Sequence, residues 1–518
     1  MFLLSIRAFP ACRYPPPTAK SRQLISGAKN NIAHLDEGER GMTAAQTGPA
    51  IGSESRINMA FIIAIVAVAT IGGFMFGYDS GVINGTQKGL EAAFDLGKLG
   101  IGFNVGAILV GSSIGAFAAG RMADVIGRRG VMMLSAVLFF VSALVAGAAG
   151  SSVIFILARI VGGLGVGAAS VISPVYISEV TPAAIRGRLS SVQQVMIITG
   201  LTGAFIANFV LARYAGGSTE PLWLDLPAWR WMFWLQSIPA AIYFLALLII
   251  PESPRYLVVK GQESRAHAVL TKLFGTEEAD RKVAEIRASL AADHHKPKLS
   301  DLIEKTTGRI RPIVWAGIGL AVFQQLVGIN VVFYYGATLW EAVGFSEDYA
   351  LQTNILSGVL SIGACLATIA LVDRIGRKPL LLIGSAGMAV TLATVAYAFS
   401  TAVTGADGAV SLPGNNGVIA LVAANLYVIF FNMSWGPIMW VMLGEMFPNQ
   451  IRGSGLAVAG FAQWIANAAV SVSFPALAVS PGLAVTYTGY AFFAAVSFFF
   501  VRAMVNETKG RELEEMEG

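Results

Sequence analysis

Charge is scarce in this chain. Only 13% of its 518 residues are Asp, Glu, Lys or Arg, about half of the roughly 25% found in soluble proteins. A water-soluble globule cannot cover its surface with so few charges, and a hydrophobic content of 55% rules out disorder. Cysteine is rarer still. Cys12 and Cys365 are the only two, too few for a disulfide framework or a cysteine metal site. The four histidines lie outside the apolar runs, and no Ser/His/Asp constellation, metal-ligand spacing or P-loop occurs. No catalytic residue, metal or cofactor is therefore expected, and enzyme chemistry is set aside. A net charge of +5 is small for this mass and fits basic membrane loops rather than a nucleic-acid footprint. Gly162–Gly167 looks like a nucleotide loop but has no strand before it, so close helix packing explains it better.

What the chain has in abundance is long apolar sequence. A helix needs about 20 apolar residues to cross the hydrocarbon core of a bilayer. The windows 57–78, 99–120, 189–212, 231–251, 312–340, 349–372 and 379–406 contain no charge at all. Windows 130–178 and 453–501 each hold two helices, split at Gly150-Ser151-Ser152 and at Ser480-Pro481-Gly482. The last, about 416–441, follows a Pro413-Gly414-Asn415-Asn416 loop. The fold class is thus an all-α membrane protein with twelve transmembrane helices in two six-helix halves. An even count puts both termini on one side. With termini inside, the short inner loops carry nine Lys or Arg and the outer loops four, the bias of the positive-inside rule.

The expected layout is a disordered cytoplasmic tail over 1–56, a first half over 57–251, cytoplasmic linker helices over 252–311, a second half over 312–504 and a cytoplasmic tail over 505–518. Met42 is a second possible start beside Met1.

The halves echo each other. Asp124-Val-Ile-Gly-Arg-Arg129 recurs as Asp373-Arg-Ile-Gly-Arg-Lys378, and the pattern Glu179, Pro182, Arg186, Gly187 recurs as Glu445, Pro448, Arg452, Gly453. Both repeats fall in matching inner loops, as in a transporter whose halves rock about a central site. Arg128, Arg129, Glu179, Arg186, Asp373, Arg377, Glu445 and Arg452 are the expected inner-gate salt-bridge residues, pairing in the outward-open state and parting on inward opening. The bland alternative is that these charges only set topology.

Two charges lie inside helices. Asp79 closes an apolar window and Arg159 sits within Leu157-Ala158-Arg159-Ile160. Placing a charge at the bilayer centre costs at least about 2.5–3.5 kcal/mol, which makes each a functional candidate. Their depths match, and arginine keeps its proton, so Asp79 is the expected proton-exchanging member of a pair. Nearby positive charge favours a carboxylate and desolvation favours the neutral acid; such opposition lets protonation follow conformation. A static helix-locking pair, or an aspartate in interfacial water, are the alternatives. Carboxamides also recur in the membrane at Gln193, Gln194, Gln324, Gln325, Asn330, Asn432 and Gln463. They donate and accept at once, which suits a neutral polyhydroxyl ligand, and Phe76, Trp440 and Trp464 offer faces for sugar C–H groups. Interhelical glue is the competing reading of any one amide. Gly328 permits a break near mid-membrane.

These residues together resemble the sugar porter family of the major facilitator superfamily, over about 57–510. The motifs are Phe76-Gly-Tyr-Asp79, Gly127-Arg128-Arg129, Arg186-Gly187, Pro251-Glu-Ser-Pro-Arg255, Gln324-Gln-Leu-Val-Gly-Ile-Asn330 and Gly376-Arg377-Lys378. Phe431-Asn-Met-Ser-Trp-Gly-Pro437 and Ala462-Gln-Trp464 are most similar to the family's bacterial proton–xylose symporters. The resemblance implies sugar contacts at Gln194, Gln324, Gln325, Asn330, Tyr334, Trp440 and Gln463, to which the residue reading adds Phe76, and proton coupling through Asp79 and Arg159. Ser361 departs from the family's common sugar-contacting Asn, and Asn506 from its usual Pro. The expected function is import of a monosaccharide with a proton by a functional monomer in a bacterial inner membrane, its partners being sugar, proton and lipid. A facilitated uniporter and a non-transporting sugar sensor are the rivals.

Overall fold

A computed structural model describes the chain over residues 57–292, 299–304, 308–404, 410–448 and 451–509. The tail readings for 1–56 and 510–518, and both possible starts, lie outside the described residues. Within them the fold is helical, apart from a two-residue pairing of β1 (Val403–Thr404) with β2 (Val410–Ser411).

The first half begins with α1 (Met59–Val82), capped by the Asn58 side chain, which accepts from the Phe61 N–H. A 3₁₀ turn (Ile83–Gly85) and the short α2 (Gln87–Phe94) lead into α3 (Lys98–Ala148). The 51 residues of α3 would measure about 75 Å at 1.5 Å per residue, far more than one crossing. Gly127, with φ 84°, breaks it into two. Next come α4 (Ser152–Val180), α5 (Ala183–Ala215) and a sixth crossing built from α6 (Ala228–Leu235) and α7 (Ser237–Leu247). The glycine run packs as the sequence suggests: a Cβ at Gly163 or Gly167 would lie 2.1 or 2.0 Å from a carbonyl oxygen of α3.

Three short helices, α8 (Pro254–Val259), α9 (Glu263–Phe274) and α10 (Thr276–Ala292), form the linker. Its His267–Asp280 and Arg287–Glu263 pairs bind α9 to α10. The second half repeats the plan. Its first crossing is split into α11 (Pro312–Leu326) and α12 (Ile329–Ala342) at Gly328. Then follow α13 (Glu347–Ile375), α14 (Arg377–Ser400), a second split crossing of α15 (Asn416–Met433) and α16 (Trp435–Met446), and finally α17 (Arg452–Leu477) and α18 (Leu483–Met504). Among the described residues the total is twelve crossings. The break between α15 and α16, at Ser434 (φ −135°, ψ −87°), is not visible in the hydropathy pattern. Large side chains such as Phe117, Val153 and Phe499 stand more than 60% exposed around the bundle, where lipid is the solvent.

Candidate functional site: a buried ion pair beside a chain of amides

Asp79 sits in the last turn of α1 and Arg159 two turns into α4, with side chains 0% and 1% exposed. Arg159 Nη1 donates to Asp79 Oδ1, and Nη2 donates to the Asp79 backbone oxygen at 3.0 Å. The guanidinium also lies 5.6 Å from the Phe233 ring centroid. Neither Asp79 Oδ2 nor Arg159 Nε has a hydrogen-bond partner. A buried pair of this kind gains little net stability, but losing one partner strands a charge at about 3–5 kcal/mol. The pair is therefore sensitive to any movement of α1 against α4.

The second half supplies the amides. Asn330 Nδ2 donates to Gln325 Oε1, Gln325 Nε2 to Gln324 Oε1 at 3.1 Å, and Gln463 Nε2 to the same oxygen at 3.4 Å. Gln324 Nε2 in turn donates to the carbonyl oxygens of Trp435 and Gly436 at 3.0 and 3.4 Å, just past the break at Ser434. Four of the expected sugar residues, from α11, α12 and α17, thus form one network. It keeps spare capacity, since Gln463 Oε1 is buried without a partner. Asn432, on α15, donates to Ser361 Oγ at 3.2 Å while its Oδ1 stays unpartnered. Phe76 of α1 packs on Trp464 at 5.9 Å between centroids. Gln194 is half-buried on α5 and Trp440 is 41% exposed on α16, and neither takes part in the amide chain. Tyr334, four residues beyond Asn330 on α12, is buried.

Beyond Tyr334, at the face opposite the linker, the halves are stitched together by residues the sequence reading does not single out. Asn84 donates to the Phe333 carbonyl at 2.7 Å and accepts from the Ala337 N–H and from Asn354 Nδ2. Gln87 donates to the Tyr334 carbonyl and accepts from Thr338 at 2.9 Å. Lys88 reaches Glu341 at 2.6 Å and Glu347 at 3.5 Å. Burial alone would lower the Lys88 pKa, but these two carboxylates outweigh it and raise it, so the seam keeps its cation at all working pH values. The only sequence signal for this seam was polarity at the end of an apolar window. Lys88 is 46% exposed, so the pairs are worth up to about 1 kcal/mol, roughly a fivefold shift in population. Lys88→Gln should accordingly raise, by up to about fivefold, the maleimide reactivity of a cysteine placed at Ala337 in a Cys12→Ser, Cys365→Ser background. Unchanged reactivity would show that the ion pairs do not hold the seam.

At the linker face each half carries the same corner. Arg128 donates to both oxygens of Glu179 at 3.1 and 3.2 Å, and Arg377 to both oxygens of Glu445 at 3.1 and 3.0 Å. Asp124 and Asp373 stand 3.7 and 3.2 Å from these arginines and are largely exposed. A third carboxylate closes each turn after a glycine of positive φ, Gly127 or Gly376. Glu252 accepts from the Arg128 and Arg129 N–H groups, and Glu507 from those of Arg377 and Lys378. Ser253 and Thr508 then donate to Glu179 and Glu445. The motifs around Glu252 and Glu507 are thus a third internal repeat, missed because only two residues of each take part. These pairs close within their own half and are formed here while the opposite face is sealed. Arg129 corrects the expectation of a salt bridge: its guanidinium donates to the Leu247 and Leu248 carbonyls at 2.8 and 2.9 Å, because the end of α7 presents carbonyls with no helical donor. Arg452 donates to the Phe447 carbonyl at 3.3 Å; the side chain of Arg186 lies outside the described residues.

Burial pushes the Glu507 carboxyl up, but backbone N–H bonds from Lys509, Arg377, Lys378 and Thr508 outweigh it and hold it below its ordinary range. A depressed carboxyl stabilises the fold above its unfolded value, about 4.3, and that contribution fades as pH falls through the folded value. Glu507→Gln should lower the melting temperature of the detergent-solubilised protein at pH 7, with the gap to the unsubstituted protein narrowing below about pH 4. An equal gap at both pH values would refute the charge-based account.

Comparison with known proteins places this geometry. The model of a family described as "Sugar (and other) transporter" matches residues 65–518. The glucose transport protein of Synechocystis is 48% identical, over 90% of this chain and 98% of its own. The D-xylose-proton symporter of Escherichia coli K12 is 37% identical, over 89% and 96%. Among solved structures, the inward open xylose transporter of E. coli superposes with a TM-score of 0.75 at 36% identity, covering 88% of this chain and 99% of that one. The proton:xylose symporter bound to 6-bromo-6-deoxy-D-glucose gives 0.72 at 36%, covering 89% and 99%. A twelve-helix bundle of two repeated halves, with a match of this extent, has one reading: the chain is a multi-pass membrane protein of the sugar transporter family within the major facilitator superfamily.

Proposed function

We propose that this protein carries a monosaccharide across a bacterial inner membrane together with a proton, by alternating access. The linker face is cytoplasmic, as are both termini, and the halves over 57–251 and 312–504 rock about the seam, joined by the linker over 252–311. Gln324, Gln325, Asn330 and Gln463 bind the sugar hydroxyls, with Gln194 completing the site from the first half and Phe76, Tyr334 and Trp440 lining it. Asp79 takes and gives the proton, and Arg159 is its partner in the buried pair. The corner pairs Arg128–Glu179 and Arg377–Glu445, with Asp124 and Asp373 beside the arginines, brace the cytoplasmic end of each half as the halves move.

The observation that carries this reading is the contact of Phe76 with Trp464. Phe76 lies three residues before Asp79 on α1, and Trp464 follows Gln463 of the amide network on α17, so a sugar that draws on the amides can disturb the ion pair. The relatives named above as glucose and xylose transporters, and as a proton symporter, support the same assignment. Competition uptake with labelled glucose, xylose, galactose and inositol in proteoliposomes identifies the cargo. Sugar added to energy-depleted cells should make the medium alkaline; uptake without alkalinisation would leave a facilitated uniporter.

A further inference from the structure

The two split crossings of the second half are clasped to each other at their breaks. Gly328 adopts φ 81°, which an L side chain rarely tolerates, and the turn there changes the backbone bonding. The Val331 N–H bonds Gly328 O rather than Val327 O, so the Val327 carbonyl has lost its helical donor deep in the bundle. Tyr427, on α15, supplies the replacement: its hydroxyl donates to Val327 O at 2.7 Å. In the other direction, Gln324 on α11 donates to the first carbonyls of α16. Each broken helix thus donates to a carbonyl at the break of the other. Behind the clasp, the Tyr490 ring fills the space that a Cβ on Gly328 would need, its Cδ2 only 2.6 Å away. The Tyr490 hydroxyl itself is buried without a partner.

The two strands of the clasp differ in one respect. Gln324 belongs to the amide network and can be drawn away by a ligand, whereas Tyr427 is 1% exposed and bonds only backbone there. We infer that Tyr427 is a positioning residue for the transport step: it fixes the pivot of α12 at Val327–Gly328, and a sugar that recruits Gln324 frees α16 while leaving that pivot in place. This inference rests on the sugar-binding role proposed for Gln324. A lost pivot affects movement rather than binding, and conformational steps set the turnover of many such cycles.

The test separates the two. Purified protein is assayed for equilibrium binding of the labelled monosaccharide found by competition uptake, and proteoliposomes for net uptake and for exchange. Tyr427→Phe should bind within about threefold of the unsubstituted protein while its maximal net uptake falls about tenfold. Tyr490→Phe, which keeps the ring and loses no bond, should behave as the unsubstituted protein in both assays. Normal net uptake by Tyr427→Phe overturns the inference, and so does a parallel loss of binding and uptake, since the hydroxyl would then shape the site. Should Tyr427→Phe fail to fold, Tyr427→His decides, because its ring N–H falls short of the reach of the phenol toward the Val327 carbonyl; retained binding with reduced net uptake supports the pivot, and unchanged uptake removes it. Unsubstituted protein that binds no monosaccharide would bring down the transport reading, and the inference with it.

Discussion

Asp79→Asn is expected to yield a carrier that equilibrates sugar across the membrane but no longer concentrates it. The amide keeps an oxygen for the Arg159 guanidinium, and the bond from Nη2 goes to the backbone of residue 79, so the helix contact survives the substitution. What disappears is the exchangeable proton. Accumulation in energised vesicles should fall to unity, while exchange of labelled for unlabelled sugar continues at a reduced rate. The contrasting change, Arg159→Gln, strands a carboxylate that is 0% exposed, at a cost of about 3–5 kcal/mol, and should reduce the yield of folded protein as well. Uphill uptake that survives Asp79→Asn would end the coupling role and leave the ion pair as a strut.

Gln324→Leu carries the second large effect. The substitution keeps the volume but removes an amide that accepts from Gln325 and Gln463 and donates to two carbonyls. Each buried polar group left unpaired costs about 1–3 kcal/mol. Where the site is built to hydrogen-bond hydroxyls, such losses appear in binding, and a rise in KM of about thirtyfold or more corresponds to about 2 kcal/mol. Competition uptake and equilibrium binding measure it. A KM within threefold of the unsubstituted value would mean the amides serve helix packing and the sugar sits elsewhere.

Much of this is legible in the sequence. Charge-free windows mark crossings because a bilayer penalises every charge within it, and the two long windows split at the expected glycine and proline breaks. The repeat of Arg128 with Arg377 and of Glu179 with Glu445 survives in sequence because bidentate arginine geometry tolerates no lysine. Other features left little trace. Arg129 reads as a salt-bridge residue, yet it caps α7, because carbonyls at a helix end carry no letter in the sequence. The break at Ser434 sits within an unbroken apolar run and depends on backbone angles that hydropathy does not register. The seam through Asn84, Gln87 and Lys88 pairs residues about 250 positions away in the chain, and polar residues at a helix end look like ordinary loop composition. Tyr427 reads as one more aromatic in an apolar helix; only the carbonyl opposite makes it more than that.

The matched corners bear on the chain beyond its last crossing. Glu507 and Thr508 occupy, for the second half, the places that Glu252 and Ser253 occupy for the first. One set begins a covalent bridge to another domain, and the other simply runs on past the bundle. The same clip therefore serves as a doorway in one half and as a buckle in the other. A cut between Val505 and Glu507 would spare every membrane crossing and still unfasten one of the two rigid bodies on which rocking depends.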